Sequence, residues 1–115
     1  MVERSLGELE LTRTFSALGD ATRRAVLMDL AAAGEATVSE LAAGYPMSLA
    51  AVSKHLKVLE RAGLIEREVR GRRHFCRLRP VPLTDAAGWV EQCRQYWERR
   101  LDALAPQAVA ARTDR

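Results

Sequence analysis

Apolar positions recur along this chain with two different spacings. Leu6, Leu9, Leu11 and Phe15 mark a weakly amphipathic first helix, roughly Glu8 to Leu18. Gly19-Asp20 breaks it, and Asp20 is a good N-cap for a second helix, Ala21 to Ala33, with Ala25, Val26, Met28, Leu30 and Ala33 as its apolar positions. Gly34 ends that helix as a C′ glycine. Thr37 and Glu40 form a capping box for a short third helix reaching Ala43. After the turn Gly44-Tyr45-Pro46-Met47, Ser48 caps a fourth helix that runs to Ala62 and closes at Gly63-Leu64. The spacing then shortens to two. Residues 64–69 and 74–78 read as strands joined by Arg70-Gly71-Arg72-Arg73, where Gly71 supplies the positive φ of a tight hairpin. Pro80 and Pro82 stop the second strand, and a long helix runs from about Thr84 to Leu104, with Pro106 limiting its extension.

These elements predict a mainly α fold with a small β-hairpin, in the order α-α-α-α-β-β-α: a winged helix–turn–helix. The expected layout is one domain over residues 8–105, with a flexible N-terminus at 1–7 and a flexible tail at 106–115. Such a shape places one helix in a DNA major groove and lets the hairpin reach the flanking backbone.

Charge sharpens that picture. Overall net charge is only +3, but its distribution is uneven. Residues 1–47 carry four Arg against seven acids, net −3; residues 80–115 balance five against five. Residues 48–79 carry nine Lys/Arg against three Glu, net +6, so the whole positive excess lies on the fourth helix and the hairpin. A polyanionic partner follows from that segregation.

At about 100° per residue, Leu49, Val52, Leu56 and Leu59 fall in one arc of the fourth helix and are expected to face the core. Ala50, Lys54, Lys57 and Arg61 then face outward, with Ser53 and His55 at the two borders. The outward face is small near Ser48, Ala50 and Ala51, allowing close approach to base edges, and cationic further along. In the hairpin, Arg70, Arg72 and Arg73 flank the glycine at a projecting tip, where guanidinium groups can reach a minor groove or its phosphates. A solvated basic face and a charged turn are the plainer readings of each feature alone; their coincidence favours contact with double-stranded DNA.

Several motifs occur in one order: Ala17-Leu18-Gly19-Asp20-Ala21-Thr22-Arg23-Arg24, then Val38-Ser39-Glu40-Leu41-Ala42, then the run from Ser48-Leu49-Ala50-Ala51-Val52-Ser53-Lys54-His55-Leu56 to Ile65. Over about residues 10–105 the chain resembles the ArsR/SmtB family of bacterial winged-helix repressors. The resemblance implies a homodimer that binds a palindromic operator, represses its own or an adjacent operon, and uses its first and last helices as the dimer interface. The last helix agrees. Leu83, Ala87, Val90, Cys93 or Arg94, Trp97, Leu101 and Leu104 recur at steps of three and four, widened by Trp89 and Tyr96. That stripe either packs on the winged-helix core or meets a second copy, and its breadth favours the partner. With Leu9 and Phe15 it makes the expected dimer face.

Metal-sensing members carry cysteines in the third helix and paired Asp, His and Glu in the last. This chain has no cysteine in Val38-Ser39-Glu40-Leu41-Ala42 and no histidine in residues 80–115, so neither a metal site nor a cofactor is expected. The soft candidates are Cys76, Cys93, His55 and His74. The alternative is a thiol- or metal-responsive repressor acting through Cys76 and Cys93; a third reading is a winged helix used only for protein contact. The two cysteines form no Cys-x-x-Cys pair, and a structural disulfide is not expected. No run reaches the ~18 apolar residues of a membrane span, and no signal peptide opens the chain, so the expected compartment is the cytoplasm. No nucleophile–base pair, glycine-rich phosphate loop or carboxylate pair suggests catalysis. Any inducer is unassigned.

Overall fold

The computed structural model describes residues 2–104, with side chains from residue 7 onward. Eight elements follow in order: α1 Val2–Leu18, α2 Ala21–Ala33, β1 Glu35–Thr37, α3 Val38–Ala43, α4 Leu49–Arg61, β2 Ile65–Arg70, β3 Arg73–Leu78 and α5 Val81–Leu104. Helix α1 starts at Val2, earlier than the expected Glu8, and α5 starts at Val81 rather than Thr84. Pro82 fits in the first turn of α5, where a missing N–H costs nothing. The expected tail at 106–115 lies outside the described residues.

The caps form as anticipated. Asp20 accepts from the Arg23 amide at 3.0 Å, and Gly34 ends α2 with φ 79°. At Thr37 both halves of the capping box are present: its Oγ1 accepts from the Glu40 amide, and Glu40 Oε1 accepts from the Thr37 amide. Ser48 accepts from the Ala51 amide and sets the start of α4.

A third strand was not expected from the sequence. Glu35–Thr37 pairs antiparallel with β3, giving the sheet order β1-β3-β2 with Ala36 opposite Cys76. Three residues show no legible alternation, and only pairing with β3 makes them a strand. The hairpin itself pairs Arg70 with Arg73, so its loop is only Gly71-Arg72. Gly71, at φ 64°, holds the first loop position of a two-residue hairpin, where positive φ selects glycine.

The core gathers Ala17, Val26, Leu27, Leu30, Leu41, Val52, Leu56, Leu59, Leu64, Ile65 and Cys76 between the helices and the sheet. Two apolar positions singled out in the sequence lie outside this core. Met28 is 70% exposed, and Leu27 takes the inward place beside Val26 and Leu30. Leu49 is 55% exposed instead of closing the α4 core arc. It is the first residue of its helix, and helical side chains lean toward the N-terminus, so it projects beyond the neighbours that cover Val52 and Leu56.

Most of α5 lies outside the core. Ala86 is its one buried side chain among the described residues, with Leu83 packed against the cluster. Trp89 meets Phe15 edge-on at 5.6 Å, tying α5 to α1. Val90, Tyr96, Trp97, Leu101 and Leu104 remain exposed, as do Leu9 on α1 and Ala87. Among the described residues no helix is long and apolar enough to cross a membrane.

Candidate nucleic-acid interface

Helix α4 is held in place at its start and at its middle. At its start, Tyr45 in the α3–α4 turn donates its hydroxyl to Asp29 of α2 at 2.5 Å. Burial, and then the Asp29 carboxylate, push the Tyr45 phenol up to about 12, so it stays a donor throughout the physiological range. Lower down, His55 Nδ1 stands 3.4 Å from Arg23 Nη1 and 3.7 Å from Asp20 Oδ2. Arg23 also donates through Nε to the Ala17 carbonyl and through Nη2 to that of Ser16, while Arg24 donates to the Leu18 carbonyl. Two guanidinium groups therefore satisfy the free carbonyls at the α1 C-terminus, where cations are electrostatically favoured. The Asp20-to-Arg24 segment thus locks α1, α2 and α4 together. Asp20 is held below the usual carboxylate range, chiefly by the Arg23 amide it caps.

His55, expected at the border of the outward face, is here engaged with α2. Its ring is mostly covered and packs toward α2, so it fixes the orientation of α4. Lys54 and Lys57 stand exposed on α4 with no carboxylate within ion-pair distance among the described residues. Ala50 is exposed beside them, and Ala51 and Ser53 are half-buried. Ser48 is exposed, with its hydroxyl oxygen engaged as the cap.

The hairpin divides its cations into two sets. Along the strands Arg70 contacts Glu35 at 2.6 Å and Glu68 at 3.0 Å and Arg77 contacts Glu66 and Glu68, whereas Arg67 lies 3.7 Å from Glu60 with its Nε and Nη2 buried and making no hydrogen bond among the described residues. Arg70 also covers the Phe75 ring at 4.4 Å. The hydrogen bonds that Arg70 donates to Glu68 and Glu35 raise its pKa, and Arg70 in return lowers that of Glu68. Arg70, expected among the DNA contacts, therefore ties the hairpin root to β1. At the tip, Arg72 and Arg73 have no carboxylate partner among the described residues, Arg73 resting 5.7 Å from Phe75.

Between this tip and α4 runs a groove of about 360 Å³, lined by Thr37, Val38, Ser39, Leu49, Ser53, Arg67, Arg72, Arg73 and His74. It unites Ser53 with Arg72 and Arg73. It also adds Ser39, Leu49 and His74, which sequence reasoning left out because they lie on separate elements or on the arc assigned to the core. Arg61, expected on the same face, instead lines a cleft of about 730 Å³ against α1 and α5, with Arg13, Arg79 and Trp89.

The cysteines occupy different settings. Cys76 is sealed in the core, and burial pushes its thiol pKa up, which disfavours the reactive thiolate. Cys93 is half-buried on α5, and both thiols are free. Among the described residues no three His, Cys, Asp or Glu side chains converge as a metal site requires.

A helix-turn-helix domain profile matches residues 18–68, from the end of α1 to the hairpin. The HTH-type transcriptional regulator Rv2034 of Mycobacterium tuberculosis is 40% identical over 93 residues, covering 81% of this chain and 83% of that protein. The crystal structure of the ArsR family transcriptional regulator RHA00566 superposes with a TM-score of 0.74 at 40% identity, covering 79% of this chain and 93% of the other. This chain belongs to the ArsR family. A third similar structure is the homodimeric winged helix-turn-helix DNA-binding domain Mb0332 of Mycobacterium bovis, a possible ArsR-family regulator: TM-score 0.62, 25% identity, 87% and 89% coverage. The relatives are transcriptional regulators, and the α4–hairpin groove is the part of this ArsR-family chain whose chemistry suits DNA.

Proposed function

We propose that this ArsR-family chain is a homodimeric transcriptional repressor that binds a palindromic operator. Helix α4 enters the major groove, and the wing lies on the flanking minor groove or backbone. The observation that carries this reading is the division of the cations. Arg70 and Arg77 are paired with carboxylates, whereas Lys54 and Lys57 on α4 and Arg72 and Arg73 at the wing tip have no carboxylate partner among the described residues, and both tip arginines line the groove. Unpaired cations on rigid elements are what phosphate contact requires. Lys54 lies nearest the helix start and addresses a base edge; Lys57, Arg72 and Arg73 take phosphates.

The dimer face comprises Leu9, Phe15, Trp89, Val90, Cys93, Tyr96, Trp97, Leu101 and Leu104. Its exposed apolar side chains exceed what a monomer of this size leaves in water. Pairing α1 and α5 of two copies would present both α4 helices about 34 Å apart, one turn of the duplex. Occupancy of a promoter by such a dimer competes with polymerase, which is the route to repression.

The test is selection of bound duplexes from sheared genomic DNA, followed by titration at several salt concentrations. Three phosphate contacts per protomer make six per dimer, and log affinity should fall with log salt at a slope of about −5. A slope shallower than about −2, or no preferred fragment, overturns the proposal.

A further inference from the structure

Leu49 is the one large apolar side chain standing in the otherwise polar and cationic groove between α4 and the wing tip, save for the half-buried Val38. It is 55% exposed. Its backbone is fixed, because the Ser48 cap orders the first turn of α4. Exposed Ala50 follows it, with no side chain to hold a duplex at a distance, and Ser53 lies one turn on. Arg72, Arg73 and His74 form the opposite wall, so a strand whose phosphates meet them brings its bases toward Leu49.

We infer that Leu49 reads the C5-methyl group of a thymine in each operator half-site. The inference rests on the operator-binding role proposed above and assigns the chemistry by which the start of α4 discriminates bases. In the major groove thymine alone among the four bases carries an apolar group; adenine, guanine and cytosine present only donors and acceptors. Leu49, Ala50 and Ala51 offer no hydrogen-bonding side chain, so at this end of the helix an apolar contact is the available means of readout. Against a methyl group, Leu49 and the base both shed water, whereas against cytosine the same approach desolvates the N4 amino group without a partner.

The experiment uses the full chain and the shortest duplex recovered from the selection above. Each thymine is replaced in turn by deoxyuridine, which deletes the methyl and keeps every hydrogen-bonding group. At fixed salt, one or two positions per half-site should each lose about fourfold in affinity, and symmetric replacement in both half-sites on the order of 15-fold. With Leu49→Ala those same replacements should cost less than about 1.5-fold, while the variant keeps wild-type thermal stability because the side chain is not in the core. Full affinity for every deoxyuridine duplex overturns the inference, as does an equal loss in wild type and Leu49→Ala. Either result leaves operator binding intact, whereas failure to retain any duplex removes the proposed function itself.

Discussion

Arg70 and Arg72 are two residues apart on one hairpin, and the structure predicts opposite behaviour for them on DNA. Arg72, at the tip, has no carboxylate partner among the described residues; Arg70 is held by Glu35 at 2.6 Å and Glu68 at 3.0 Å. Replacing Arg72 with alanine removes one phosphate contact per protomer and two per dimer, which should reduce the salt slope by about 1.8, from about −5.4 to about −3.6. Between about 50 and about 200 mM salt, wild-type affinity should then fall by about 1,700-fold and that of Arg72→Ala by about 150-fold, a gap on the order of tenfold. Arg70→Ala deletes a cation already neutralised, leaving Glu35 without its ion-pair partner and Glu68 with Arg77 alone. It should weaken binding through longer-range repulsion yet keep a slope within about 0.5 of wild type. Fluorescence anisotropy titrations of the selected duplex at five salt concentrations separate the two. Equal slopes for the two variants would refute the division of the wing into a neutralised root and a free tip.

Trp97→Ala removes a side chain that is 59% exposed on α5. If each copy withdraws on the order of 100 Å² of apolar surface at the dimer face, the pair contributes about 5 kcal/mol, and sedimentation equilibrium should show the dimer Kd raised several thousandfold; an unchanged Kd would place the interface elsewhere. Asp20 has a folded-state pKa below its ordinary 3.8, so its stabilising charge is fully present above that value and is lost as pH falls through the lowered one. Asp20→Asn keeps a capping side chain but no titration, and its urea midpoint should drop less than that of wild type between about pH 6 and about pH 2. Cys76, buried and with its thiol pushed up, should resist iodoacetamide at about pH 8 while Cys93 is alkylated, as read by peptide mass spectrometry. Rapid native labelling of Cys76 would reopen a thiol-sensing role.

Much of this protein was legible in its residues because the relevant physics is local. Asp20, Thr37 with Glu40, and Ser48 cap helices through bonds to amides three residues on, and Gly34 and Gly71 take positive φ where the chain must turn. The +6 concentration over residues 48–79 is likewise visible in the residues alone. The tertiary structure decided what each charge and apolar group was free to do. Arg70 and Arg72 look alike in sequence, but strand pairing brings Glu35, 35 residues earlier, against only one of them. His55 lies on the same helix as Lys54 yet is taken up by Asp20 and Arg23. Strand β1 exists because β3 lies beside it, and Leu49 is exposed because a helical wheel has no ends while a helix does. Caps and turns depend on neighbours along the chain; ion pairing and burial depend on neighbours in space, which only the folded chain supplies.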